Sequence, residues 1–261
     1  MLNLTGKKAM VCGSTQGIGK ATAVQFAKQG ASVTLVARNE EALKQTLAEL
    51  ATDAGQKHDY ICADFNQPDE LKKKVEAYIT KGTAYHILVN NSGGPPGGEI
   101  IEAKIEDFKT TFERHLVCNH ILTQLLVPGM KKEKYGRIIN VISTSVKEPI
   151  KGLGVSNTIR AAVANWSKTM AMELGQFGIT VNNVLPGATE TGRITDIISR
   201  TSQKSGKSEA QVKADMLSKI PVGRFAKPEE LAYAITFLAS EEAGYINGTN
   251  MPVDGGRMGC L

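Results

Sequence analysis

One glycine-rich segment near the start of the chain has the composition and spacing of a phosphate-binding turn. The residues Gly13-Ser14-Thr15-Gln16-Gly17-Ile18-Gly19 follow a short apolar run and open a stretch of helical periodicity. Glycines let the backbone approach a pyrophosphate closely, and the following helix offers free N–H groups and a positive dipole. A tight strand-to-helix turn without a ligand would use glycines as well. Because a second predicted strand follows the helix, the pattern favours binding of a dinucleotide.

The elements that would carry this turn alternate along most of the chain. Strands are predicted at 9–12, 31–37, 60–64, 86–91, 136–143, 178–187 and 250–254, with helices between them, among them 157–175 and 228–240. The strands are continuously apolar, which is typical of a parallel sheet covered on both faces. The sequence therefore predicts one α/β domain over residues 1–261, a Rossmann fold with a doubly wound parallel sheet. Residues 193–220 break the rhythm and are interpreted as a mobile substrate lid or a surface helical hairpin.

Composition excludes several classes of protein. Of the 261 residues 41% are hydrophobic and 22% are charged, so a sizeable core can form and intrinsic disorder is excluded. No apolar run is long enough to span a membrane, and no signal peptide is recognised, so a cytoplasmic location without membrane contact is expected. The four cysteines lie too far apart for a zinc site or a disulfide framework, and no metal is predicted. The net charge of +5 comes from short, scattered clusters, which argues against nucleic acid and favours an anionic cofactor.

Four ordered motifs resemble the short-chain dehydrogenase/reductase family over essentially the whole chain. Besides the turn with G-x-x-x-G-x-G spacing, they are Asn90-Asn91-Ser92-Gly93, Pro186-Gly187 and the C-terminal run from Gly223-Arg224-Phe225 to Val253-Asp254-Gly255-Gly256. The resemblance is greatest to the 3-oxoacyl-acyl-carrier-protein reductase branch. It implies an oxidoreductase of small carbonyl compounds that binds a nicotinamide dinucleotide. It also implies a homodimer or homotetramer that pairs through helices at 104–131 and 157–175.

The same resemblance locates an active site whose usual residues are replaced. The family uses an asparagine, a serine, a tyrosine and a lysine four residues after the tyrosine. In this chain the matching positions are His115, Ser143, Ser156 and Arg160, so only the serine is retained. No Tyr-x-x-x-Lys occurs anywhere in the sequence. The resemblance therefore implies an atypical active site.

The chemistry of the replacements limits what they can do. A serine hydroxyl is far less acidic than a tyrosine hydroxyl, and arginine stays protonated and cannot shuttle a proton. Arg160 shares a helix face with Ser156 and could hold a ribose hydroxyl or a carboxylate. His115 is the one replacement whose ordinary pKa lies near neutrality. Two structural alternatives stay open: His115 could merely pack against the fifth strand, and Ser156 could be a helix N-cap.

Cofactor choice depends on the end of the second strand, where an NAD enzyme of this fold carries an acidic residue. In this chain Ala37 occupies that position and Arg38 follows it. Because a guanidinium suits a 2′-phosphate, Arg38 favours NADP over NAD. Arg38 could also be a solvated surface residue. Asp64 resembles the family's adenine-contacting aspartate, or is a turn residue. The predicted cofactor-binding residues are Gly13, Ser14, Thr15, Gln16, Gly17, Ile18, Gly19, Arg38, Asn39, Asp64, Asn90, Ser92, Gly93, Arg160, Pro186, Gly187 and Thr191.

Three functions fit these residues. The first is an NADP(H)-dependent reductase of a ketone or 3-oxoacyl-type carbonyl with non-standard proton delivery. In it Ser143 and Ser156 orient the carbonyl, Arg160 supplies a positive field and His115 relays a proton through water. The second is a non-catalytic NADP-binding or scaffold protein, and the third is an isomerase or dehydratase. The substrate space is expected to be lined by 93–98, 193–220, Leu153, Val155, Thr189 and Arg193, and either Arg160 or Arg193 could prefer a carboxylate-bearing substrate.

Overall fold

A computed structural model describes residues 2–79, 84–95 and 97–260. Its centre is a parallel sheet with the strand order β3-β2-β1-β4-β5-β6-β7. The strands are β1 (Lys8–Cys12), β2 (Ser32–Ala37), β3 (Asp59–Cys62), β4 (Ile87–Asn90), β5 (Gly136–Val141), β6 (Ile179–Pro186) and β7 (Asn250–Val253). The predicted doubly wound sheet is confirmed, and the predicted strands are found within two residues at each end.

Helices cover both faces of the sheet. They are α1 (Gly17–Lys28), α2 (Glu40–Ala48), α3 (Pro68–Ile79), α4 (Ile105–Phe112), α5 (Cys118–Glu133), α6 (Gly154–Leu174), α7 (Gly192–Ser205), α8 (Glu209–Leu217) and α9 (Pro228–Ala239). Alternate residues of β1 point to opposite faces, as strand geometry requires. Ala9 and Val11 pack in one core with α1 and α9, whereas Met10 and Cys12 pack in the other with α3 and α5. Burial on both faces explains why the strands are continuously apolar.

The strand order reverses between β1 and β4, and ligands of open α/β sheets bind at such a point, beyond the carboxyl ends of the strands. Just below this edge, four asparagines stand side by side on β4, β5, β6 and β7. Asn90 donates to Asn140 at 2.8 Å, Asn140 to Asn183 at 3.0 Å, and Asn183 to Asn250 at 2.8 Å. Buried amides that bond to one another hold the four strands in register under the site.

Two helical predictions need correction in detail. The helix expected over 104–131 is interrupted by a π-helical turn, Glu113–Val117, that joins α4 to α5. Single π-turns inside α-helices often occur at functional sites, and this one contains His115. The long helix expected at 157–175 begins earlier, at Gly154, and Leu153 is its N-cap residue, so the N-cap interpretation of Ser156 is wrong.

The segment 193–220 forms a helical hairpin of α7 and α8 with its own small core, which includes Ile198 and Val212. Its movement as a lid stays a prediction. Pro96, part of the predicted glycine-proline segment 93–98, lies outside the described residues. In the described ranges no helix has the length and apolar character that crossing a membrane would need, and no three His, Cys, Asp or Glu side chains gather as a metal site would require.

Candidate active site

The glycine turn leaves its helix N-terminus open. Gly13 and Gly17 have φ values of +58° and +53°, a region that glycine adopts without strain. Gln16 is the N-cap residue of α1, and its side chain makes no capping hydrogen bond. The first N–H groups of α1 therefore receive no cap from the side chain of Gln16, which suits a pyrophosphate.

Close packing beneath the turn explains its third glycine. A Cβ atom on Gly19 would lie 2.1 Å from the carbonyl oxygen of Gly13 and 2.7 Å from Nδ2 of Asn91. That Nδ2 donates to the carbonyl oxygens of Cys12 and Gly13, both at 3.3 Å. Asn91 therefore closes the turn from the β4 side. Asn91 is not among the residues predicted from the sequence to bind the cofactor, although the Asn90-Asn91 doublet after β4 is a visible signal.

The end of β2 presents Arg38 to solvent, and among the described residues no acidic side chain forms an ion pair with it. Asn39, which is also predicted to bind the cofactor, uses its Oδ1 to cap α2 by accepting from the N–H of Ala42 at 3.0 Å. The Ser14 hydroxyl is fully buried and points toward the carbonyl of Val36, 3.5 Å away. Arg38 is thus the group at this position with free donors for a 2′-phosphate.

The other predicted cofactor residues lie around the same edge of the sheet. Asp64 accepts from the backbone N–H of Asn66 at 2.9 Å, as a turn residue does. Thr191 is the N-cap residue of α7 and its methyl group lies above Gly17, so it faces the glycine turn. Gly187 packs against the backbone of Asp254, and its N–H donates to Val253. Asn90 differs from the rest because its amide nitrogen is already committed to Asn140 within the sheet.

Ser156 and Arg160 form a hydrogen-bonded pair one turn apart on α6. Nε of Arg160 donates to Oγ of Ser156 at 3.3 Å, and its Nη1 donates to the carbonyl of Val141, at the end of β5, at 3.1 Å. Ser143 lies two residues beyond Val141, where its Oγ accepts from the N–H of Ser145 at 3.1 Å. Three of the four predicted catalytic residues are thereby anchored to the carboxyl end of β5.

His115 completes the cluster from the π-turn. Its side chain is 4% exposed, and its Nδ1 lies 2.8 Å from Oγ of Ser92, after β4. Among the described residues its buried Nε2 has no hydrogen-bond partner. The packing-only interpretation of His115 therefore accounts for its burial but not for its polar contact with Ser92.

Burial and positive charge set the protonation of these groups. The pKa of His115 is well below its ordinary value of 6.5, because burial disfavours the imidazolium and Arg160 and Arg114 add positive charge. Burial, and then the charge of Arg193, lowers the pKa of Arg160 to about 10. At neutral pH the site thus holds a neutral imidazole beside a charged guanidinium.

A second arginine enters the site from α7. Nη2 of Arg193 donates to the carbonyl of Pro95 at 2.7 Å. The Nη2 atoms of Arg193 and Arg160 would lie 3.4 and 3.5 Å from a Cβ on Gly94, so both guanidinium groups converge on that glycine. The sequence predicts Arg193 in the lining of the site, but no sequence pattern indicates its proximity to Arg160.

The profile of the family described as enoyl-(acyl carrier protein) reductase matches residues 13–257. The 3-oxoacyl-[acyl-carrier-protein] reductase FabG of Thermotoga maritima is 34% identical over 257 residues, covering 98% of this chain and 99% of that protein. FabG of Vibrio cholerae is 33% identical over 257 residues, covering 98% of each.

Solved structures agree in fold over the full length. L-sorbose reductase from Gluconobacter frateurii, complexed with NADPH and L-sorbose, has a TM-score of 0.92 and 32% identity, covering 100% of this chain and 99% of its own. YwfH, an NADPH-dependent reductase involved in bacilysin biosynthesis, has a TM-score of 0.91 and 28% identity, covering 98% and 99%. The chain belongs to the enoyl-(acyl carrier protein) reductase family of the short-chain dehydrogenases/reductases, close to its FabG-like members.

Proposed function

We propose that this protein is an NADP(H)-dependent reductase that converts a ketone or a 3-oxoacyl-type carbonyl to an alcohol without a tyrosine-lysine pair. The observation that carries the proposal is the hydrogen-bonded arrangement of Arg160, Ser156 and the end of β5, with Ser143 and His115 beside it. It retains hydrogen-bond donors and positive charge next to the cofactor edge of the sheet. Those are the groups that a developing alkoxide needs.

NADP is the cofactor that the residues fit. The glycine turn receives the pyrophosphate at the open N-terminus of α1, and Arg38 receives the 2′-phosphate. Thr191, above Gly17, covers the turn from α7. When it is bound, NADPH supplies the hydride. NAD fits less well, because Ala37 offers no carboxylate to the ribose hydroxyls of the adenosine.

Ser156 is prepared to donate to the substrate oxygen. A hydroxyl has one proton and two acceptor lone pairs, and the Nε–H of Arg160 occupies one lone pair of Ser156. The proton of Ser156 is therefore free to point into the site, and the adjacent guanidinium makes it more acidic. Ser143 supplies the second donor, since its own Oγ accepts from Ser145.

His115 is proposed to pass the proton as a neutral imidazole. A neutral ring carries one N–H and one lone pair, so it can take a proton on one nitrogen and release one from the other. Nδ1 contacts the Ser92 hydroxyl, through which one proton can pass, and the buried Nε2 has no partner among the described residues, which leaves it available for the other proton. The low pKa of His115 keeps the ring from holding the proton.

The test is NADPH oxidation with a proven carbonyl substrate in His115→Ala, in Ser143→Ala and in the double variant. Each single change should lower kcat about 10²- to 10⁴-fold, the range for losing a general acid or an alkoxide donor. Ser145→Ala is a matched control, because the buried Ser145 hydroxyl has no hydrogen-bond partner in the described chain. If turnover survives the double change, the roles assigned to these residues are wrong.

Loss of the family's tyrosine and lysine favours a second candidate, an NADP-binding protein without hydride transfer. Nucleotide fluorescence separates the two: both candidates bind NADPH, but the second oxidises it with no member of a panel of ketones and oxo-thioesters. An isomerase or dehydratase would convert its substrate without net consumption of NADPH.

We further infer a homodimer or homotetramer. Large apolar side chains are exposed on the helices that were predicted as pairing faces, namely Ile105 and Phe112 on α4 and Met172 on α6. Exposed apolar side chains of this size lose their contact with water when two subunits pair. Light scattering coupled to size-exclusion chromatography measures the assembly, and a monomer at every concentration would contradict this inference.

A further inference from the structure

The two arginines of the site, Arg160 and Arg193, carry positive charge that no ion pair balances in the described part of the chain. Among the described residues, neither Arg160 nor Arg193 belongs to any ion pair with an aspartate or glutamate within 4.0 Å. Each lies partly buried, and the positive charge of Arg193 helps to lower the pKa of Arg160. Asp196, one turn further along α7, offsets part of the charge of Arg193 without pairing with it. Holding two desolvated cations together is costly unless an anion joins them.

Some N–H donors of both guanidinium groups have no acceptor in the described part of the chain. Arg160 uses Nε on Ser156 and Nη1 on Val141, and Arg193 uses Nη2 on Pro95. Nη2 of Arg160 and both Nε and Nη1 of Arg193 have no acceptor among the described residues. A guanidinium presents its donors in a planar fork that matches the two oxygens of a carboxylate.

The position of these donors relative to the proposed carbonyl site sets the length of the ligand. Nη2 of Arg160 belongs to the same guanidinium whose Nε contacts Ser156, the residue proposed to hold the carbonyl oxygen. A carboxylate on that Nη2 is therefore only a few bonds from the carbonyl. Gly94 leaves this space open, because it has no side chain between the two guanidinium groups.

We propose that Arg160 and Arg193 form a carboxylate-binding subsite and that the substrate is a short oxo acid, with its carboxylate one or two carbons from the carbonyl. This inference rests on the proposed function for the carbonyl end. The carboxylate end rests on the arginine pair alone. Carboxylate binding gives a reason for an arginine at position 160, where the family has a lysine. The planar guanidinium can donate to both carboxylate oxygens at once, whereas a lysine ammonium is a point charge without that geometry.

Equilibrium binding tests the subsite without turnover. The probes are 2-oxobutanoate and 3-oxobutanoate, each against its neutral amide of the same shape, titrated calorimetrically into the protein saturated with NADP⁺. No reductant is present, so the result does not depend on whether the protein catalyses reduction. The wild-type protein is expected to bind at least one acid about 10- to 100-fold more tightly than its amide, the range for charged hydrogen bonds.

Arg193 is the residue to vary, because it touches neither serine of the proposed carbonyl site. Arg193→Gln should remove about 10-fold or more of the preference for the acid, and Arg193→Lys should restore part of it. Lys204→Gln is the matched control: it removes one positive charge from the same helix at an exposed position and should change the preference less than about 2-fold.

Three results would overturn the proposal. They are equal binding of acid and amide, binding of neither, and a loss of NADP⁺ affinity in Arg193→Gln that matches the loss of acid affinity. The last result would assign the arginine to the cofactor. A preference for the acid together with no NADPH oxidation would instead uphold the subsite and contradict the reductase function.

Discussion

The protonation of His115 decides how a proton can leave this site, and it is measurable through stability. Because the pKa of His115 in the folded protein is well below 6.5, the unfolded chain takes up a proton that the folded protein does not. Stability from this residue is therefore complete above pH 6.5 and falls as the pH drops through 6.5 toward the lower, folded-state pKa. The change that isolates it is His115→Gln, which keeps a polar side chain and cannot titrate.

The magnitude follows from the proton balance. One residue that is protonated only when unfolded changes the free energy of unfolding by about 1.4 kcal/mol per pH unit below its unfolded pKa. Integrated from about pH 7.5 to about pH 5.5, the loss is again about 1.4 kcal/mol, since the proton uptake is small above pH 6.5. Burial also lowers the pKa of His86, but His86 is present in both proteins and cancels from the difference.

Urea unfolding of both proteins at the two pH values, at one protein concentration and ionic strength, measures this difference. The wild-type protein should lose about 1.4 kcal/mol more than His115→Gln on acidification. Parallel losses would mean that His115 takes up its proton over the same pH range in the folded protein as in the unfolded chain, which would contradict a pKa held low by burial. A ring-proton NMR titration of His115 gives an independent reading of the same pKa.

Three further predictions concern the cofactor turn and the sheet. Gly19→Ala places a Cβ 2.1 Å from the carbonyl oxygen of Gly13. This overpacking should lower the free energy of unfolding by about 1–3 kcal/mol in thermal or urea unfolding and abolish tight NADPH binding. Gly98→Ala, with nothing within 4 Å of its Cβ, is the control and should change neither stability nor NADPH binding appreciably. Arg38→Ala should weaken NADPH binding about 10- to 100-fold and leave NADH binding unchanged in fluorescence titrations. Equal losses of affinity for both nucleotides would mean that Arg38 does not bind the 2′-phosphate. Arg137→Met removes donors to the carbonyls of Ser240 at 3.0 Å and Gly136 at 2.9 Å. Urea unfolding should show that the free energy of unfolding falls by about 2–4 kcal/mol. A change below about 0.5 kcal/mol would mean that these hydrogen bonds do not stabilise the fold.

The sequence alone determined the order of strands and helices, because apolar runs and helical periodicity are local patterns that packing then preserves. It also determined the glycine turn, since glycine adopts the φ values found at Gly13 and Gly17 without strain. Aligned motifs placed His115, Ser143, Ser156 and Arg160 in one site, and the absence of Tyr-x-x-x-Lys needs no coordinates.

Tertiary structure decided what these residues can do. His115 contacts Ser92 from a π-helical turn, which departs from the regular helical repeat. The apolar pattern of the sequence does not predict this turn. Its low pKa depends on burial and on Arg160, 45 positions away along the chain. Arg193 meets Arg160 only because α7 folds back over the loop after β4 and bonds to Pro95, 98 residues earlier. Contacts across such separations depend on how whole elements pack, and sequence periodicity carries no information about them.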